Sequence, residues 1–158
     1  MSTRIIRDAD LDNVIAEMRQ MLGEGIQSSS VRRLAEQAVS GKTNYIAAVF
    51  DFVRDTFPYV EDPYGFERFI NPNKVAEDYF QGQIRGLDCD CHSLLTASCC
   101  GSIGYRVRIA ILAVRSYEFD HATAQVYYDN DWVNLDTSNK IVPLGWIETY
   151  HRAVFVSI

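Results

Sequence analysis

Cys89 stands inside Asp88-Cys89-Asp90-Cys91-His92-Ser93, the start of an apolar run, and this places a thiol at the positive end of a helix. The unbonded N–H groups and the macrodipole at a helix start favour negative charge, so a thiol's pKa there falls from about 8.5 toward neutrality or below. That is how a protein makes a reactive thiolate. With His121 and Asp136 downstream, the segment points to a Cys-His-Asp catalytic site, in which Asp88 and Asp90 flank the thiol. Nothing in the chain names the bond that is cut or made.

The other sulfur and imidazole groups have plainer readings. All four cysteines lie between positions 89 and 100, a poor disulfide framework because they share one helix, and reduced thiols are expected. Cys91 is turned about 200° from Cys89 on a helix. Cys99 and Cys100 read as core, and His92 and His151 as surface or packing residues. Cys89, Cys91, His92, Cys99 and Cys100 would supply enough zinc ligands, but Cys-x-Cys-His within one turn points its side chains apart. No metal and no cofactor is expected.

The elements that must position these groups are legible in the apolar spacing. Leu11, Val14, Ile15, Met18, Met21 and Leu22 recur at helical spacing, with Gly23 and Gly25 expected to close the helix. Ser30 is expected to cap a second helix carrying Val31, Leu34, Ala35, Ala38 and Val39, and Thr43 a third that stops at Pro58. From Tyr59 to Leu87, Pro63, Gly65, Pro72, Gly82 and Gly86 interrupt the chain around one short helix, Lys74 to Phe80, in a segment expected to wrap the site. The helix from Cys89 is apolar or small nearly all round, which suggests burial, and Gly104 caps it. Strands follow at Tyr105–Val114, with positions 107, 109, 111 and 113 on one side, then at His121–Tyr128, Trp132–Leu135 and Ala153–Ile158, with a tight hairpin at Asp129-Asn130-Asp131. Helices first and an antiparallel sheet afterwards make the fold class α+β.

The 158 residues, 47% hydrophobic and 23% charged, suit one domain: a helical part over 1–58, a site-wrapping part over 59–88, and the Cys helix plus sheet over 89–158. A net charge of −6 argues against nucleic acid and against an anionic membrane surface as partners, since both need a basic face. Met1 to Arg7 lacks the apolar stretch of a signal peptide and no segment has membrane-spanning length, so a cytoplasmic protein is expected.

Gly86-Leu87-Asp88-Cys89-Asp90-Cys91-His92-Ser93-Leu94-Leu95, followed by Gly104-Tyr105-Arg106-Val107-Arg108, resembles the cysteine motif of the transglutaminase-like superfamily. His121-Ala122 and Trp132-Val133-Asn134-Leu135-Asp136-Thr137-Ser138 resemble its histidine and aspartate motifs, in the same order and spacing. Tyr59-Val60-Glu61-Asp62-Pro63 and Pro72 are similar to small stand-alone members of bacteria and phages. The resemblance implies a papain-like site: Cys89 as nucleophile, His121 as general base and then acid, Asp136 orienting the imidazole. By the same analogy Gln83 or Tyr59 supplies a second oxyanion donor beside the Cys89 N–H. Three positions depart from the pattern: Cys91 and Gln125 replace usual acids, and Leu87 stands where glycine is common.

The implied activity is a cysteine hydrolase or acyltransferase on amide bonds of a protein or peptide substrate, with peptidase, isopeptidase and amidase all open. The rival is a phage or bacterial structural or assembly protein using the fold as a scaffold or maturation factor, with virion partners; it would then reside in the host cytoplasm or the virion.

Overall fold

A computed structural model describes residues 3–7, 10–62 and 66–158. Pro63 and Gly65, expected as breaks in the wrapping segment, lie outside the described residues. The elements run β1 (Thr3–Arg7), α1 (Leu11–Gln27), α2 (Ser29–Val39), α3 (Tyr45–Thr56), β2 (Phe66–Ile70), α4 (Pro72–Phe80), α5 (Cys89–Ser102), β3 (Val107–Ala113), β4 (His121–Tyr128), β5 (Asp131–Leu135) and β6 (Arg152–Val156).

Local chemistry sets the helix starts. Asp10 accepts the Asn13 N–H at 2.9 Å and opens α1, and Ser28 accepts the Val31 N–H at 3.2 Å and opens α2. Asn44 accepts the Ala47 N–H at 3.1 Å to open α3, and Asn71 with Pro72 in the first turn opens α4. The caps are therefore Ser28 and Asn44 rather than Ser30 and Thr43, because the hydroxyl or amide just ahead of the first helical residue does the accepting.

Helix α1 runs through Gly23 and Gly25 to Gln27, where the sequence suggested a stop. The reason is tertiary. A Cβ on Gly25 would overlap the Ser98 Oγ, lie 2.8 Å from the Ser98 Cβ and approach Pro72 at 3.2 Å, so the glycine lets α1 lie against α5 and the start of α4.

Helix α5 is the centre of the molecule. Every residue from Cys91 to Cys100 is buried, with α1, α2, α3 and α4 packed around it and β3 and β4 also against it. Its fully buried Leu94 and Leu95 each contribute about 2 kcal/mol relative to an exposed side chain. They join Ile109, Ile111, Ala122, Ala124, Val126 and Leu135 of the sheet in one core.

That sheet is antiparallel throughout, in the order β5-β4-β3-β6. Asp129 and Asn130 both have positive φ, 54° and 64°, which gives the β4–β5 hairpin the twist its strands need. Strand β3 is not one-sided: Ala110 and Leu112 are as buried as Ile109, because β3 is an inner strand paired on both edges. A separate two-stranded sheet, β1 with β2, went unread in the sequence. The architecture is α+β, with the cysteine helix between a helical layer and an antiparallel sheet. Among the described residues, no helix is long and apolar enough to cross a membrane.

Candidate active site

Cys89 is the first residue of α5 and is half-buried, whereas Cys91, Cys99 and Cys100 are buried, and none of the four is in a disulfide. Asp88 caps this helix, its carboxylate accepting the Cys91 N–H at 2.9 Å. Asp90 follows in the first turn. Burial pushes the Cys91 thiol well up, with the Asp88 charge adding to it, and its sulfur is occupied by the Arg68 carbonyl at 3.3 Å and the Ile70 N–H at 3.4 Å. Cys91 is thus a strut between α5 and β2. Burial likewise raises Cys100 to about 12 and Cys99 further.

His121 opens β4, held there by the turn before it. Asp120 accepts the Val114 and Arg115 N–H groups at 2.8 and 3.2 Å and donates its own N–H to the Leu112 carbonyl. Asp136 follows the last residue of β5. The imidazole Nε2 lies 2.7 Å from Asp136 Oδ2, and Ser138 Oγ donates to Asp136 Oδ1 at 2.8 Å. Burial pulls the His121 pKa down, but the hydrogen bond and charge of Asp136, with Glu148 and Asp120 behind them, reverse it, and the net direction is up. For Asp136 burial acts upward and is outweighed by His121 and Ser138, leaving it below the usual range. The imidazole is therefore a good base whose Nε2 is engaged, which leaves Nδ1 for a substrate or a thiol.

The cysteine turn and this pair meet along α5. His92, in the same first turns as Cys89, lies 3.0 Å through Nδ1 from Thr137 Oγ1, and Thr137 adjoins Asp136. His92 is therefore a buried packing residue and not a helix-surface one.

Tyr59 pairs with Leu87 across a parallel bridge, with Leu87 N–H on the Pro58 carbonyl and Val60 N–H on the Leu87 carbonyl, both at 2.9 Å. The phenol is exposed at its surface, and partial burial first, then the charges of Cys89, Glu61, Asp88 and Asp90, push it up to about 12. It stays a hydrogen-bond donor at any working pH. Gln83 lies exposed in the turn after α4, its N–H on the Asp78 carbonyl.

A feature the sequence reading missed is the carboxyl pair at the helix start. Burial pushes Asp88 up to about 8, and the Asp62 carboxyl within hydrogen-bonding reach adds to it. Asp62 also accepts the Arg68 N–H at 2.7 Å. With its pKa raised this far the Asp88 carboxyl is largely protonated at neutral pH, which lowers the negative charge at the start of α5. The signal for it was Asp62 in the wrapping segment, unreadable without the fold. At the Gln125 departure, the amide accepts Arg108 Nε at 2.7 Å and donates to Asn134 Oδ1 at 3.3 Å, a double role that a carboxylate cannot fill. His151 is exposed and stacks on Tyr117 at 4.8 Å. Among the described residues no group of three or more His, Cys, Asp or Glu side chains is arranged to hold a metal ion. A surface groove of about 500 Å³ along α3, lined by Ala38, Asn44, Asp51 and Asp55 among others, contains none of the candidate site residues.

The chain aligns over 98% of its length with 60% of a solved protein from Cytophaga hutchinsonii described as a candidate cysteine protease, at a TM-score of 0.55 and 17% identity. The likeness shows that the two share a fold. A structure described as a TGase aligns with 92% of this chain and 36% of its own, at a TM-score of 0.44 and 15% identity. No family model and no curated protein matches the chain. The chain thus spans less than two thirds of the Cytophaga protein that it matches.

Proposed function

We propose that the protein is a cysteine hydrolase or acyltransferase acting on amide bonds of a protein or peptide through a thioester. The observation that carries this reading is the 2.7 Å His121–Asp136 bond, taken with the one incompletely buried thiol of α5 at that helix's first residue. His121 Nδ1 takes the Cys89 proton and the thiolate attacks the amide carbonyl carbon, forming a C–S bond and an oxyanion. The oxyanion is met by the Cys89 N–H and the Tyr59 hydroxyl, or by Gln83 in the papain-like alternative. Its collapse breaks the C–N bond, and the imidazolium hands its proton to the departing amine. Water, or a second amine, then attacks the thioester with His121 as base, which releases the acyl group and restores the thiol. Asp136 holds the imidazole tautomer throughout.

The ordered His121–Asp136 pair favours chemistry over the scaffold and virion-assembly reading, for which no specific observation speaks. The test is to trap the acyl-enzyme: an activated ester is mixed with the protein and the mass of the peptide bearing Cys89 is followed. A transient acyl adduct on Cys89, missing in Cys89→Ser and both slower to form and slower to clear in His121→Ala, is expected; no adduct in the wild type, or one on another residue, contradicts the proposal.

A further inference from the structure

We propose that His92 is a positioning residue of this site, an imidazole that ties the Asp136–Thr137 segment to the first turns of α5 and packs against the chain leading into Tyr59. The inference rests on the cysteine-site reading above and adds to it a residue outside the Cys-His-Asp set.

Three arms of the site meet at this one ring. His92 belongs to the helix that Cys89 opens and is 1% exposed. Its Nδ1 is 3.0 Å from Thr137 Oγ1, and Thr137 Oγ1 is 2.9 Å from Thr96 Oγ1 one helical turn on. Thr96 also donates to the His92 carbonyl at 2.8 Å. The residue after Asp136 is thus clamped to α5 by two side chains. On the ring's far edge, Nε2 is buried without a hydrogen-bond partner and faces the backbone carbonyls of Phe57 and Pro58. Those residues lead into Tyr59, and the Pro58 carbonyl already binds the Leu87 N–H. Lys140 closes the same corner, its Nζ donating to the Phe57 and Arg54 carbonyls at 2.6 and 2.5 Å.

The protonation state follows from these neighbours. Burial, with Lys140 adding to it, pushes the His92 pKa down to about 4, so the ring is neutral at physiological pH. Carbonyls only accept, so the single ring proton sits on Nε2. Nδ1 is then the acceptor for the Thr137 hydroxyl, which fixes the direction of that bond. An apolar side chain of similar volume would fill the space and lose the bond to Thr137, leaving the Thr96 contact alone to hold it. A misplacement of about 1 Å is enough to lower a site's rate on the order of 10²-fold.

The experiment compares wild type with His92→Leu, His92→Asn and Thr137→Val, reading the iodoacetamide alkylation rate of Cys89 against pH by mass spectrometry, with the thermal midpoint alongside. We expect His92→Leu and Thr137→Val to slow Cys89 by about tenfold to a hundredfold at pH 6 and to move its profile to higher pH. His92→Asn, whose amide can replace Nδ1 toward Thr137, should recover most of the rate, and the Leu/Val double variant should be no slower than either single one. Thr137→Val is isosteric and serves if His92→Leu does not fold. Wild-type profiles in both variants, or a slower rate with an unshifted profile and no recovery in His92→Asn, overturn the proposal. If Cys89 of the wild type reacts as an ordinary thiol, the cysteine-site reading itself fails and this one with it; a reactive Cys89 with indifferent variants removes His92 alone.

Discussion

His121 and Asp136 touch on a diagonal of the sheet. His121 faces Leu112 across β3–β4, while Leu135 faces Ala124 across β4–β5, so Asp136 falls one step beyond the ladder and reaches back to the imidazole at 2.7 Å. The register of the two ladders brings the two residues within reach of each other.

Asp136→Asn tests what this bond does. It keeps the volume and removes the charge, so amide-bond or ester turnover should fall on the order of 10²–10⁴-fold. The stability cost should be about 1–3 kcal/mol, as for a hydrogen bond to a charged group. His121 is raised above 6.5, so its share is complete below that pH and fades as pH rises through the folded value; Asp136 is depressed, so its share fades as pH falls below 3.8. Denaturant melts of wild type and variant at pH 5.5 and 9 should differ more at pH 5.5, and an equal difference at both would show that the pair is not ionic.

The Asp62–Asp88 contact carries the opposite sign. Asp88 is raised to about 8 against 3.8 unfolded, so the folded protein holds an extra proton between these values and loses stability as pH rises from about 4 to 8. Asp88→Asn keeps a capping side chain for the Cys91 N–H without the charge. Its urea midpoint should vary less than that of wild type over pH 5–8 and exceed it at pH 8; a parallel slope would exclude the raised Asp88 carboxyl.

Much of this site was legible in the sequence because helix starts and motif order are local or ordered along the chain. The α5 start at Cys89, the apolar stripes of α1 to α3, and the Asp129-Asn130 hairpin all follow from nearest-neighbour chemistry. What escaped was non-local. Strands β1 and β2 are short and pair across more than fifty residues, Gly25 reads as a stop until Ser98 is seen against it, and His92 looks like an ordinary helix residue until Thr137 and the Phe57–Pro58 carbonyls surround it. The Asp62–Asp88 contact is hidden for the same reason.

Gly25→Ala measures that close approach. Alanine improves helix propensity by about 1 kcal/mol, but its Cβ collides with Ser98 on the buried side of α5. A net loss of about 1–2 kcal/mol is expected, read as a lower denaturation midpoint with an unchanged m-value. A gain in stability would mean that α1 and α5 are further apart.

Tyr59→Phe separates the two oxyanion candidates. The phenol stays protonated up to about pH 12, so its loss should lower kcat about tenfold to a hundredfold with little change in KM and a pH profile of unchanged shape. Gln83→Ala, in an exposed turn, should leave kcat within about twofold. The reverse pattern would assign the second donor to Gln83.

The central claim is that His121 activates Cys89, and the most direct test is alkylation of the native protein and of His121→Ala from pH 5 to 9, with each cysteine followed by mass spectrometry. The account predicts that Cys89 alone reacts well below pH 8.5, the ordinary thiol value, and that His121→Ala abolishes this advantage while Cys91, Cys99 and Cys100 stay silent until the protein unfolds. Reaction of Cys91 ahead of Cys89, or a Cys89 rate indifferent to His121, would contradict it.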